Sequence, residues 1–320
     1  MQHRKIQIQS DSGELVSGQA PIIVSASRAT DIPAFYAEWF FDRLEKGHVV
    51  WQNPFSGQSS FISFAETRFI VFWSKNPAPL MPYLYRLREK GVGTYIQYTL
   101  NDYISENLEP NLPPLEDRIA TFKKLVEILG PKSVVWRYDP LILTDNVTID
   151  SLLDRIAYIS DMLVGYADKL VFSYADISTY KKVVRNLRAS GVDYREWNYQ
   201  SMVEFASRLS DVNKERWNFQ LCTCSEAIPL ERFGIEHNRC IDPDLITRLA
   251  PDDAILQNFL AKAKTDKGQR KHCGCVLSKD IGSYNTCPHG CTYCYANISP
   301  YSARQNFIKH QSNPLLESII

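Results

Sequence analysis

Short apolar runs alternate with longer amphipathic stretches along the first two thirds of the chain. Pro21-Ile-Ile-Val-Ser-Ala is apolar and is followed by the turn cluster Ser27-Arg-Ala-Thr-Asp-Ile-Pro33, so a strand is expected, then a helix over 34–46 stopped by Gly47. Arg68-Phe-Ile-Val-Phe-Trp predicts a second strand, ended by Ser74-Lys-Asn-Pro77, and 79–90 fits a helix ending at Gly91. Val92-Gly-Thr-Tyr-Ile-Gln-Tyr-Thr, rich in aromatic and β-branched residues, is a third strand. A proline-rich loop over 102–114 leads into a helix over 115–129. Ser133-Val-Val-Trp-Arg-Tyr is a fourth strand closed by Asp139-Pro140, with a helix over 149–165. Lys169-Leu-Val-Phe-Ser-Tyr is a fifth, with a helix over 178–190; a helix over 199–210 precedes a sixth, Asn218-Phe-Gln-Leu-Cys-Thr.

Continuous apolar strands alternating with helices predict a parallel sheet covered by helices. Polar residues recur just past the strands: Arg28 and Asp31, Lys75 and Asn76, Asn101, Arg137 and Asp139, Ser173 and Tyr174. Parallel strands bring such ends to one face, where α/β barrels build their sites. The expected fold class is therefore α/β, a full or partial (β/α) barrel, with an open doubly wound sheet as the competing architecture. Lys75, Arg137 and Asp139 are the candidate catalytic residues; each also has a plain reading as a loop cap or a solvated turn residue. Trp51, Trp73, Trp136 and Tyr138 lie near strand ends, as pocket wall or core. Glu109 and Arg118 flank the proline-rich loop, as a surface salt pair or as substrate contacts.

Composition narrows the class. Forty-four per cent hydrophobic and 22% charged residues are those of a globular chain and exclude global disorder. Thirty-six basic residues balance 36 acidic ones, so a uniform basic field for nucleic acid is not favoured, although a local patch stays open. No apolar run approaches the roughly 18–20 residues that span a bilayer, and the start, Met1-Gln-His-Arg-Lys-Ile-Gln, is polar. The expected setting is cytoplasmic, without membrane association. All eight cysteines lie after residue 220, at 222, 224, 240, 273, 275, 287, 291 and 294. In a reducing compartment spaced cysteines point to metal or redox chemistry. The expected organisation is a scaffold over 1–220 and a cysteine-rich segment over 221–320 that completes it.

Thr286-Cys-Pro-His-Gly-Cys-Thr-Tyr-Cys-Tyr-Ala-Asn297 contains Cys287-x-x-x-Cys291-x-x-Cys294. Three thiolates on one short loop can hold three irons of a four-iron cluster and leave the fourth open. Zinc with His289 or a distant fourth ligand is the alternative, disfavoured by the three-residue gap.

Cys-x-x-x-Cys-x-aromatic-Cys, with Tyr293 at the aromatic position, is similar to the signature of radical S-adenosylmethionine (radical SAM) enzymes. The extended string resembles the spore photoproduct lyase-related branch. Ser25-Ala-Ser-Arg-Ala-Thr-Asp-Ile-Pro, Phe72-Trp-Ser-Lys-Asn-Pro, Trp136-Arg-Tyr-Asp-Pro and Asp280-Ile-Gly resemble the domain-of-unknown-function 1848 family. The resemblance implies that Cys287, Cys291 and Cys294 ligate a [4Fe–4S] cluster whose open iron binds S-adenosylmethionine. It further implies that one-electron reduction, by a donor such as flavodoxin or ferredoxin, starts hydrogen abstraction from a substrate. Tyr293 would lie near the adenine. The Gly-Gly-Glu element that commonly meets the cofactor's amino group is absent; Ser27, Thr30 and Asp31 stand as its replacement, with Arg28 and Asn101 completing the cofactor-facing set. In related barrels the cluster loop follows the first strand. Here it comes late, which implies a circular permutation in which a strand around 276–284 pairs beside 21–26.

Cys222, Cys224, Cys240, Cys273 and Cys275 remain. Each Cys-x-Cys pair can chelate if extended, and Cys224, Cys240, Cys273 and Cys275 are the preferred four for an auxiliary iron–sulfur cluster or zinc, with Cys222 as strand core. The basic run from Lys262 to Lys271 is a solvated face or a contact for phosphate or a redox partner. His237, His272 and His310 have no ligand-like spacing. The main functional expectation is a radical SAM enzyme of unidentified substrate; the rival is a non-catalytic zinc- or iron–sulfur-binding module.

Overall fold

Strands rich in β-branched and aromatic residues bury both faces and lie side by side in one parallel sheet. The computed structural model describes residues 3–266, 268–270, 272–314 and 316–320. Its main sheet has eight strands in the order Glu236–His237, Gln220–Thr223, Lys169–Tyr174, Val134–Leu141, Gly93–Thr99, Phe69–Ser74, Ile23–Ala26 and Lys279–Asp280. Every neighbouring pair is parallel. The edge strand Lys279–Asp280 pairs Lys279 with Val24 and Asp280 with Ser25, beside the strand where the sequence placed it. Among the described residues the two edge strands do not pair with each other, so the pairing pattern is that of a large parallel sheet.

The two faces of the sheet follow the period of two. Val24, Ile70, Phe72, Ile96, Tyr98, Trp136, Tyr138, Leu170 and Phe172 pack against the helices of the scaffold. Ile23, Phe69, Val71, Tyr95, Val135, Val171 and Cys222 face the other way, onto helices Pro243–Leu249 and Ala254–Lys262. The C-terminal segment therefore covers the second face and supplies strands to both edges. Trp136 and Tyr138 are fully buried core, which settles their two readings.

Several elements differ from expectation for local reasons. The helix over 79–90 divides into a 3₁₀ turn, Ala78–Tyr83, and a helix, Leu84–Glu89, because Pro82 has no N–H to donate. The helix over 34–46 breaks at Tyr36 into Ile32–Phe35 and Ala37–Lys46. The fourth strand runs through Asp139-Pro140 to Leu141. The late strand is only Lys279–Asp280, because the Asp280 carboxylate accepts from Gly282 N at 2.9 Å and turns the chain. A four-stranded sheet of Arg4–Gln9, Leu15–Ala20, Ser59–Ser63 and His48–Gln52 was not expected at all; its strands are polar-rich and half exposed, so their apolar signal is weak. No helix among the described residues is long and apolar enough to cross a membrane.

Candidate functional site

One step of the pleat changes the inward face from core to site. Val71, Tyr95, Val135, Val171 and Cys222 are apolar, whereas Trp73, Gln97, Arg137, Ser173 and Cys224, two residues further along the chain, form a layer rich in polar groups. Lys75, Asn101 and Asp139 lie beyond it. The recurring polar residues of the sequence thus share the C-terminal end of the sheet.

The cysteine loop sits at this end, after the edge strand Lys279–Asp280. The Asp280 carboxylate ties that strand to its neighbour by accepting from Ser25 Oγ at 3.0 Å, Ser27 Oγ at 2.8 Å and Arg28 N at 2.8 Å. Gly282 is required by proximity, since a Cβ there would lie 1.8 Å from Ser27 Oγ. The loop is held from several sides. Tyr36 Oη donates to Thr286 O at 2.6 Å, Asn111 Nδ2 to Pro288 O at 3.0 Å, Thr292 N to Leu108 O at 3.0 Å, and Asn297 Nδ2 to Cys287 O at 2.8 Å. Gly290 has φ +74°, and a Cβ on it would meet Asn111 Nδ2 at 2.9 Å. Cys287, Cys291 and Cys294 are close enough that their charges act on one another, and burial raises all three thiols. Uncharged thiols are the state this pocket favours even with Lys75 nearby; a metal would supply the charge that makes thiolates stable there.

Lys75 is the cation beside them. Its Nζ donates to Glu109 Oε1 at 2.6 Å and Tyr293 Oη at 2.8 Å. Burial opposes its charge, but Glu109 and Cys291 outweigh that and hold it protonated. Burial likewise opposes charge on Glu109, and Lys75 and Arg118 keep its carboxyl below the usual range. Tyr293 Oη also donates to Glu109 and accepts from Asn101 Nδ2 at 3.2 Å. Glu109 and Arg118 are not a surface pair. Both are buried, Glu109 pairs with Lys75, and Arg118 donates to the carbonyls of Asn101 and Pro113.

Ser27 and Asp31 are committed to structure. Ser27 Oγ donates to Asp280 and accepts from Ala29 N, while Asp31 accepts from Ala34 N, Ser74 Oγ and Lys75 N and lies 2.8 Å from His289 Nε2. Thr30 Oγ1 and Arg28 Nη2 are buried with no partner among the described residues, which leaves them as open donors of the predicted cofactor set. Arg28 and Arg137 each lie over the Trp73 ring, at 5.0 and 5.3 Å. Arg137 Nη2 pairs with Asp139, which Ser173 also contacts; burial opposes that carboxylate, and Arg137 holds it low.

Cys224, Cys240, Cys273 and Cys275 gather below Arg28 and Arg137, with Cys224 Sγ 3.4 Å from Cys240 Sγ and no disulfide. Cys222 points into the apolar layer, where burial pushes its thiol up to about 11. The basic run does not reach this site as a unit: Lys262 and Lys264 are exposed, and Lys267 and Lys271 lie outside the described residues. His237 and His272 are exposed, and His310 is buried against Ile319 O, so the three share no site. Trp51 is away from the polar layer, under the Lys279 ammonium at 3.2 Å. Sequence reasoning passed over Glu226, which accepts from Tyr174 N at 2.9 Å and which burial pushes up to about 7; a lone glutamate after a strand carries no pattern that would have marked it.

No curated protein and no solved structure matches the chain. A family profile matches residues 23–296, from the first strand of the main sheet through the cysteine loop, and the chain therefore belongs to the family described as domain of unknown function (DUF1848).

Proposed function

We propose that this protein is a radical SAM enzyme in which Cys287, Cys291 and Cys294 hold a [4Fe–4S] cluster and S-adenosylmethionine binds beside it. The observation that carries this reading is the position of the Cys-x-x-x-Cys-x-x-Cys loop: it leaves the edge strand Lys279–Asp280 at the same end of the parallel sheet as Lys75, Arg137 and Asp139. The matching fold reading is a partial (β/α) barrel, circularly permuted so that a late strand takes the place beside Ile23–Ala26. When bound, the cluster and cofactor supply reductive cleavage of a sulfur–carbon bond, taking in one electron and giving methionine and a 5′-deoxyadenosyl radical that abstracts hydrogen from substrate.

The chain's own residues have separate tasks. Lys75 keeps a positive charge next to Cys291 and Cys294, and Glu109 fixes where that charge sits. Tyr293 is locked by Lys75, Asn101 and Glu109, so its ring gives the loop a rigid wall. Thr30 Oγ1 and Arg28 Nη2 are the donors left for the cofactor or substrate. Asp139, clamped by Arg137 and Ser173, offers a fixed carboxylate.

The test is anaerobic preparation followed by metal analysis and incubation with S-adenosylmethionine and dithionite. A brown protein that forms 5′-deoxyadenosine is expected, with formation lost in Cys291→Ala. A colourless protein holding only zinc, or cleavage retained in Cys291→Ala, would overturn the proposal; the first result is that of a metal-binding module.

A further inference from the structure

Five cysteines are not used by the loop, and four of them converge from three separate segments. Cys224 follows the strand Gln220–Thr223, Cys240 follows the edge strand Glu236–His237, and Cys273 and Cys275 precede the opposite edge strand, Lys279–Asp280. The segments meet because the C-terminal part of the chain lies across the inward face of the sheet. Tyr95 Oη and Gln97 Nε2 both donate to Cys240 O, at 2.6 and 2.8 Å, and fix that backbone on the sheet. Val276 N donates to Ile241 O at 3.2 Å and joins the two cysteine segments.

We infer that Cys224, Cys240, Cys273 and Cys275 form a second metal centre, a four-thiolate site for a thiophilic metal, either a zinc ion or an iron–sulfur cluster. The sulfurs follow one another in space. Cys224 Sγ is 3.4 Å from Cys240 Sγ, Ile241 beside Cys240 donates its N–H to Cys275 Sγ at 3.2 Å, and Cys273 stands two residues before Cys275. Two thiolates on one metal, with metal–sulfur bonds of about 2.3 Å, stand about 3.8 Å apart, so the first pair is already near chelating separation.

Donors aimed at the sulfurs are the second, independent observation. Cys240 Sγ accepts from Arg137 Nη1 at 3.0 Å and from Asn238 Nδ2 at 3.3 Å, and Cys275 Sγ accepts from Ile241 N at 3.2 Å. Such N–H groups stabilise thiolates and orient metal-bound sulfur. Charge gives the third. Four thiolates around a dication leave two negative charges in excess, and two guanidinium groups, Arg28 and Arg137, face the set from above. Cys222 is excluded because it sits one pleat step earlier, within the strand Gln220–Thr223 opposite Val171.

The centre can be tested apart from the loop. In the full-length C287A/C291A/C294A variant, prepared anaerobically, metal should persist. The two sources differ: one zinc per chain without visible absorption, or two to four irons with acid-labile sulfide and a brown colour. Adding C240S and C275S should reduce that metal to less than a tenth, whereas adding C222A should leave it unchanged. If the loop variant does not fold, the same measurement is made as wild type against C224S/C275S in the intact chain, where loss of the metal assigned to this set is expected. A folded loop variant without stoichiometric metal, metal that survives C240S/C275S, or recovery of Cys224 and Cys240 as a disulfide would overturn the inference. Failure of cofactor cleavage alone would not touch it.

Discussion

Lys75 and Glu109 carry the chemistry of a buried ion pair. Removing one partner leaves the other charged in a site closed to water, which typically costs about 3–5 kcal/mol. Lys75→Met is therefore expected to destabilise the protein by about 3 kcal/mol in urea unfolding, and Lys75→Met with Glu109→Gln by clearly less than the two single changes added, with a coupling of about 1–3 kcal/mol. Additive effects would show that the 2.6 Å contact is not an energetic pair. The three loop cysteines were legible because ligand spacing is a local property. The surface-pair reading of Glu109 fails because burial is not local: its loop passes against the cysteine loop, and no nearby residue in the sequence announces that.

At the scale of elements, the short strand Lys279–Asp280 depends on one carboxylate. Asp280 accepts from Ser25, Ser27, Arg28 and Gly282, and its loss leaves four donors seeking a partner. Asp280→Ala should loosen residues 279–297, seen as at least tenfold faster amide exchange there, while Lys169–Tyr174 keeps its protection. Unchanged exchange over 279–297 would mean that the loop's other contacts suffice. The helices and central strands were legible because their apolar periods are long. Their interruptions have local causes, such as the missing N–H of Pro82. The half-exposed sheet of Arg4–Gln9 and its partners was not legible, because strands that bury little have little apolar signal.

For the whole molecule, balanced charge makes individual buried groups set the pH response. Glu109 and Asp139 have depressed folded values, so the stability they contribute is present above the unfolded carboxylate range and lost as pH falls through the folded values. Lys279 behaves oppositely. Burial pulls it from 10.5 to about 8, so between those values the unfolded chain binds more protons and stability rises with pH. Lys279→Met should therefore be more stable than wild type at pH 7, on the order of 2 kcal/mol, with the gap closing towards pH 10.5. A gap that does not change with pH would remove Lys279 from the account.

What the sequence determined by itself was whatever depends on spacing along the chain: the β-then-α order, the parallel sheet that this order requires, the cysteine loop, and the split of eight cysteines into three and five. Tertiary structure alone decided which distant residues meet. It joined Glu109 to Lys75 and Tyr293, committed Ser27 and Asp31 to holding the fold, and set Arg28 and Arg137 over four thiols drawn from three segments. The physical reason is that hydrophobic periodicity fixes an element's inward face, while the partners across that face follow from packing the elements together.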